Sequence, residues 1–187
     1  SDFYFEREEI KLLIGFLLII FKRFIDSYKR GEIYETDTIK NYYVQSCLVS
    51  AQKYIKANPD PDMLQFIRTQ AKIYTQIDKG QATDDNITSM IYRLIQFEPF
   101  AGFLTDNSLA TRNMSMFIDL TVKFESYYSV SVLSEKRLDS VLKNYFSVFL
   151  HFLYRGGISE YEDGEVLAPS GAISFMTIHQ SKGMEFP

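Results

Sequence analysis

The stretch His179-Gln180-Ser181-Lys182-Gly183, followed at once by Glu185-Phe186-Pro187, is the chain's densest run of residues able to do chemistry. Gly183 tolerates backbone torsions closed to other residues, and N–H groups exposed in such a loop can face an anion. Lys182 can add a point charge, and Glu185 can accept hydrogen bonds from a sugar hydroxyl. The spacing is not that of the GxxxxGK[ST] phosphate loop. On chemistry alone, Ser-Lys-Gly is an ordinary turn more often than a phosphate site. Reactive groups are sparse elsewhere. Cys47, His151 and His179 are the only cysteine and histidines, so no metal set with sensible ligand spacing can be drawn. A single cysteine also rules out an internal disulfide and suits a reducing, cytoplasmic setting.

The elements that must carry these residues are mainly helical, and the fold class expected is all-α with short strand-like flanks. Phe3-Tyr4-Phe5 reads as a short strand ending at Glu6. Residues 8 to about 28 read as one helix, apolar on most sides through its middle and therefore central. Thr36 to Thr38 open a second helix with Val44, Leu48, Ala51 and Ile55 on one face, closed by Asn58-Pro59. Pro61 starts a third, with Leu64, Ile67, Ala71 and Tyr74 inward until Gly80. Asp84-Asp85-Asn86 open a fourth, with Ile87, Ile91 and Leu94 inward, ending at Glu98-Pro99. A fifth covers residues 108 to about 128, with Phe117, Leu120 and Phe124 on one face. The sixth carries Leu138, Val141, Tyr145, Val148 and Phe152 and stops at Gly156-Gly157. Then the composition changes. Glu160, Glu162, Asp163 and Glu165, with Gly164, Pro169 and Gly171, make an acidic connector. Beyond it Ile173, Phe175, Thr177 and Ile178 suit a strand that delivers the His179–Gly183 turn.

Composition bounds the function. Hydrophobic residues make up 46% and charged residues 24%, as in an ordinary globular protein. The formal charge of −4 argues against a tight grip on a phosphate backbone. The aromatic share of 16% is first of all a well-filled core, with base stacking the lesser reading. The apolar run at residues 12–21 is about half the ~20 residues a membrane span needs, so no membrane partner is expected.

The order of residues is more specific than their chemistry. Residues 176–187, MTIHQSKGMEFP, closely resemble motif V of the UvrD/PcrA/RecB-like superfamily 1 DNA helicases, TxHxxKGLEFP. Met184 stands where Leu is usual and keeps the apolar character. Phe3-Tyr4-Phe5-Glu6-Arg7-Glu8-Glu9-Ile10-Lys11 resembles the FFERxEIK segment, motif IVa, of the same family. Arg112-Asn113-Met114 through Phe124-Glu125 is similar to a helix of the family's inserted 2B subdomain that reads RxxNLxxL…FE.

The resemblance implies a division into a motor-domain flank (1–11), a helical 2B-like insertion of about six helices (12–158), a connector (159–171) and a second motor flank (172–187). It implies that Glu185 faces the ribose of ATP and that Gly183 shapes that nucleotide-binding loop. It places Thr177 and His179 on the single-stranded DNA track and Arg7 near the DNA-binding surface. ATP and Mg²⁺ would be the full-length protein's cofactors, and single-stranded DNA with a duplex junction its partner. The phosphate loop, the Mg²⁺-holding acidic pair and the arginine finger of such motors find no match here, so no catalytic residue is assigned. The expectation is a piece of the parent enzyme, inactive alone, whose helical body regulates unwinding or contacts duplex DNA or a protein partner. The duplex-contacting NxPxRGIG turn of several relatives has no counterpart, since Arg155-Gly156-Gly157-Ile158 lies too late and lacks the proline. One alternative is the insertion of a RecB/AddA-type helicase–nuclease, which holds a partner subunit. The other is a stand-alone helical interaction module, in which case both ends should pack into the body.

Overall fold

A helix that is apolar on nearly every side has to be covered on every side, and the run after Glu8 meets that demand at the centre of the protein. The computed structural model describes residues 3–157, which form a mainly helical body. Helix α1 (Glu8–Ile20) buries every residue except Glu8, Lys11 and Ile19. A π-helical run (Thr38–Leu48) continues without interruption into α3 (Val49–Ala57) and lies along α1. Helices α4 (Pro61–Thr75) and α7 (Ser108–Tyr127) close further sides, and α2 (Lys22–Lys29) extends beyond its end. The remaining helices are α5 (Ile87–Leu94), α6 (Phe100–Asp106), α8 (Glu135–Lys143) and the one-turn α9 (Leu150–Phe152). Before α9, residues Asn144–Phe149 are wound as π-helix, and after it the winding runs on from Leu153 until Gly156, whose φ of 145° breaks it.

The caps follow the sequence. Asp60 accepts from the N–H groups of Asp62 and Met63 at 3.0 and 3.4 Å, with Pro61 opening α4. Asn86 and Ser89 cap α5 reciprocally, through bonds of 2.8 and 2.9 Å. Asn107 accepts from Ala110 N–H at 2.9 Å at the start of α7.

Several sequence expectations change. Phe3-Tyr4-Phe5 is not a strand: Tyr4–Glu6 is a short 3₁₀ turn, with Tyr4 and Phe5 buried in the same core as α1. The expected helix over residues 8–28 breaks at Phe21, where ψ is 43°. Beyond that point the sequence turns polar, and Lys22 lies exposed at the start of α2. The fourth helix ends at Leu94, before Glu98-Pro99, and α6 was not foreseen. The third ends at Thr75, short of Gly80.

The π-helical winding displaces two buried faces. A π turn takes in one residue more than an α turn, so a stripe read at α-helical spacing drifts off the core as it passes through. In the first run Ile39, Tyr42, Tyr43, Cys47 and Ala51 are buried, while Val44, Leu48 and Ile55 are only partly so. In the second, Leu138, Val141 and Tyr145 point inward as expected. Past Tyr145, Phe149 and Leu153 replace Val148 and Phe152, and Phe152 is 39% exposed.

Gly15 marks a close approach between helices. A Cβ placed there would sit 2.2 Å from the Cys47 carbonyl oxygen and 2.8 Å from Ala51 Cβ. Backbone cannot step aside as a side chain can, so Gly15→Ala should cost about 2–3 kcal/mol or more of stability. Urea unfolding of the purified chain measures this, and an unchanged midpoint would contradict the close approach.

Candidate functional site

Of the residues that the sequence marks for nucleotide or DNA contact, Arg7 alone lies in the described part. Thr177, His179, Gly183 and Glu185 lie outside the described residues, as do the connector and the strand expected before them. The N-terminal segment can be built from its chemistry upward. Phe5 and Tyr4 are apolar anchors, and each brings a polar tie. The Tyr4 hydroxyl donates to the Asn113 carbonyl at 2.7 Å, and the Tyr42 hydroxyl donates to the Phe5 carbonyl. One turn later Glu9, only 3% exposed, sits on the inner side of α1. A buried carboxylate has to be partnered. Asn113 Nδ2 donates to Glu9 Oε2 at 3.0 Å, and Arg7 Nε lies 3.6 Å from the same oxygen.

This geometry binds together two segments far apart in the chain: Phe3–Lys11 and the Arg112–Met114 stretch of α7. Glu9 therefore differs from the helix-surface residue that its position in a first turn suggests. Lys11 is partly buried and stands 3.9 Å from Glu6. A recess of about 350 Å³ opens beside them, lined by Phe3, Glu6, Arg7, Glu8, Glu9 and Phe103 among others. Its carboxylates outnumber its single guanidinium, and that guanidinium already faces Glu9. As it stands, the recess is a poor host for a phosphate.

A second buried carboxylate organises the other end of α7. Glu125 accepts from Ile87 N–H at 2.8 Å, from Thr88 N–H at 3.0 Å and from the Thr88 hydroxyl at 2.5 Å, so it closes the first turn of α5 from outside that helix. Burial holds its pKa above the ordinary carboxylate value, and the bonds from Thr88 and Ile87 oppose that rise in part. The arrangement is structural: it supplies acceptors to orphaned donors and presents no group to solvent.

Cys47 is fully enclosed and His151 partly so. Burial pushes the Cys47 thiol far above its usual range, which removes it as a nucleophile. His151 Nδ1 and the Thr38 hydroxyl lie 2.8 Å apart, and burial, followed by the charge of Arg155, lowers the histidine's pKa. Among the described residues no group of three or more His, Cys, Asp or Glu could hold a metal ion. Nor is any described helix long and apolar enough to cross a membrane.

With this geometry in hand, comparison with known proteins adds no relative: no protein-family model matches the chain, and no curated protein or solved structure does. Sequence reasoning singled out Arg112-Asn113-Met114 and Phe124-Glu125 as a pattern but did not foresee what the Asn and Glu bind. One signal was available, because each polar residue interrupts an otherwise apolar helical face.

Two measurements probe these ties. Asn113→Ala leaves the Glu9 carboxylate buried with one partner fewer and should cost about 1–3 kcal/mol in denaturant unfolding, with no loss pointing to a solvated Glu9. Glu125 couples folding to pH. Its folded-state pKa is raised, so the folded chain holds the proton more tightly than the unfolded chain does. Its contribution therefore favours folding increasingly as pH falls from neutral toward the ordinary carboxylate value, and is level below that. Glu125→Gln should remove this component, so the wild-type minus mutant stability difference should vary with pH in that interval. A flat difference would refute the assignment.

Proposed function

We propose that the chain is part of a UvrD/PcrA-like ATP-dependent DNA helicase, and that its helical body acts as the 2B-type insertion that tunes unwinding through contact with duplex DNA or a protein partner. The residue pattern at 176–187 carries the reading, since Thr177, His179, Lys182, Gly183, Glu185, Phe186 and Pro187 recur in the order that such motors use. The geometry lends support of a different kind. The FFERxEIK-like and RxxN-like segments, matched separately, meet in the Glu9–Asn113 hydrogen bond. In this reading ATP and Mg²⁺ serve the whole motor. Glu185 and Gly183 belong to its nucleotide site, and Thr177, His179 and Arg7 to its DNA surface. Such a motor works in the cytoplasm. The body carries no excess of positive charge, and Arg7 is already engaged with Glu9; both favour a regulatory or protein-contacting role over direct capture of DNA.

A second reading, a stand-alone helical interaction module, is favoured by one observation: Tyr4 and Phe5 are packed into the body's core rather than held apart from it.

The two separate in the protein encoded by the reading frame that contains these residues. The helicase reading expects DNA-stimulated ATPase activity there. Glu185→Ala should raise the KM for ATP by about tenfold or more, and Thr177→Ala or His179→Ala should weaken stimulation by single-stranded DNA. A frame that encodes no phosphate loop sinks the proposal. The isolated chain should turn over no ATP and should bind DNA with a Kd weaker than about micromolar at physiological salt.

A further inference from the structure

A cleft of about 570 Å³ lies between the last turns of α4 and the segment that runs from Gln81 to Asp85. Its size falls within the range of ligand sites, about 300–1,000 Å³. Three features show what it is equipped to hold. First, a polar side chain on the buried face of α4 borders it without a hydrogen-bond partner among the described residues. The Tyr74 hydroxyl is fully buried and unpaired, and Gln70, itself buried, lines the cleft beside it. Thr83 lies close to Tyr74, but its hydroxyl hydrogen is shared between the Asp85 and Leu133 carbonyls at 3.1 and 3.0 Å, and its oxygen already accepts from Asp85 N–H at 3.3 Å.

Second, the cleft has an open backbone edge. Thr83 N–H donates to the Leu133 carbonyl at 2.9 Å, and Glu135 N–H donates to the Gln81 carbonyl at 2.8 Å, making an antiparallel bridge centred on Ala82 and Ser134. In such a pair the middle residue turns its own N–H and C=O the other way. Ala82 is exposed and borders the cleft, and neither of its backbone groups has a partner among the described residues. Third, the charges cancel. Arg93 is bound to Asp85 at 2.6 Å, and Lys72 on the rim is balanced by Asp84. A net-neutral lining offers no advantage to a phosphate, a carboxylate or a cation. It suits an occupant that brings uncharged donors and acceptors together with apolar side chains, which the exposed Ile73 can meet.

We propose that this cleft binds an extended, uncharged peptide segment of a protein partner, which pairs with the free edge at Ala82 and satisfies the buried hydroxyl of Tyr74. Strand addition of this kind draws its affinity from backbone hydrogen bonds, and alternate side chains supply selectivity. The proposal is independent of the helicase reading, and each can fail without the other.

The probe is a phage-displayed library of random short peptides, selected on the whole chain. The winners, made as labelled peptides, are measured by fluorescence anisotropy. Expected winners have uncharged, β-branched centres. Ala82→Pro deletes the edge N–H at a site where proline is tolerated in a strand, and Tyr74→Phe deletes only the unpaired hydroxyl. Each should weaken binding by about tenfold. Neither should lower Tm, and a melting scan of both variants separates lost binding from lost fold. Should one variant melt early, amide NMR shifts of Ala82 and Thr83 in the wild-type chain carry the test instead. The proposal is overturned if no peptide is enriched, if the winners bind both variants as they bind wild type, or if oligo(dT) rather than peptide perturbs the Ala82 and Thr83 amides.

Discussion

The seating of α1 governs the rest of the structure. Its apolar residues leave no side free for water, so the fold is the set of elements needed to enclose it. One of those elements, the Thr38–Leu48 run with α3, comes so near that only a hydrogen atom fits at Gly15. A glycine inside a helix costs about 1 kcal/mol relative to alanine. Here that loss is offset by an approach that lets Cys47 and Ala51 lie directly on the α1 backbone. Aromatic rings fill what remains. Phe16 meets Phe100 edge-on at 5.6 Å, and Phe21 lies 4.9 Å from Tyr74 at the point where α1 gives way to α2.

Around this apolar centre the polar groups that are buried are few, and most of them are linked in pairs or small sets. Glu9 answers Asn113, Glu125 answers the first turn of α5, and Tyr145 answers Thr121 at 2.7 Å. All three sets involve α7, so that helix fixes the register of α1, α5 and the second π-helical run at once. The hydrogen bond from Tyr43 to the Phe146 carbonyl, 2.6 Å, joins the two π-helical runs to each other. Buried hydrogen bonds add only modestly to stability, but an unmade one is expensive. Such ties therefore select one packing over near alternatives.

Much of this could be read from the residues. The centrality of residues 12–21, the caps at Asn86 and Pro61, and the inward faces of α5 and α7 follow from spacing and side-chain type. The displaced faces could not be read in the same way. Nothing in residues 38–48 or 144–149 announces a wider turn, and period counting assumes that the turn stays constant. The 3₁₀ turn at Tyr4–Glu6 was hidden for another reason: an aromatic run suits a strand equally well until a partner for it is sought. At the site, the motif at 176–187 was legible as an order of residues. The partnership of Glu9 with Asn113 required a fold to bring them together.

The burial of Cys47 turns the central contact into something that can be counted. It is the sequence's sole thiol and lies fully enclosed at the crossing with Gly15. An alkylating reagent reaches it only when the helices around it part, so the rate of its modification under native conditions meters how often the centre of the protein opens. A spectroscopist gains a second reporter from the same core. With no tryptophan in the chain, ultraviolet emission comes from its tyrosines, of which Tyr42, Tyr43, Tyr74 and Tyr145 are packed within that interior while Tyr34 and Tyr92 stand in solvent.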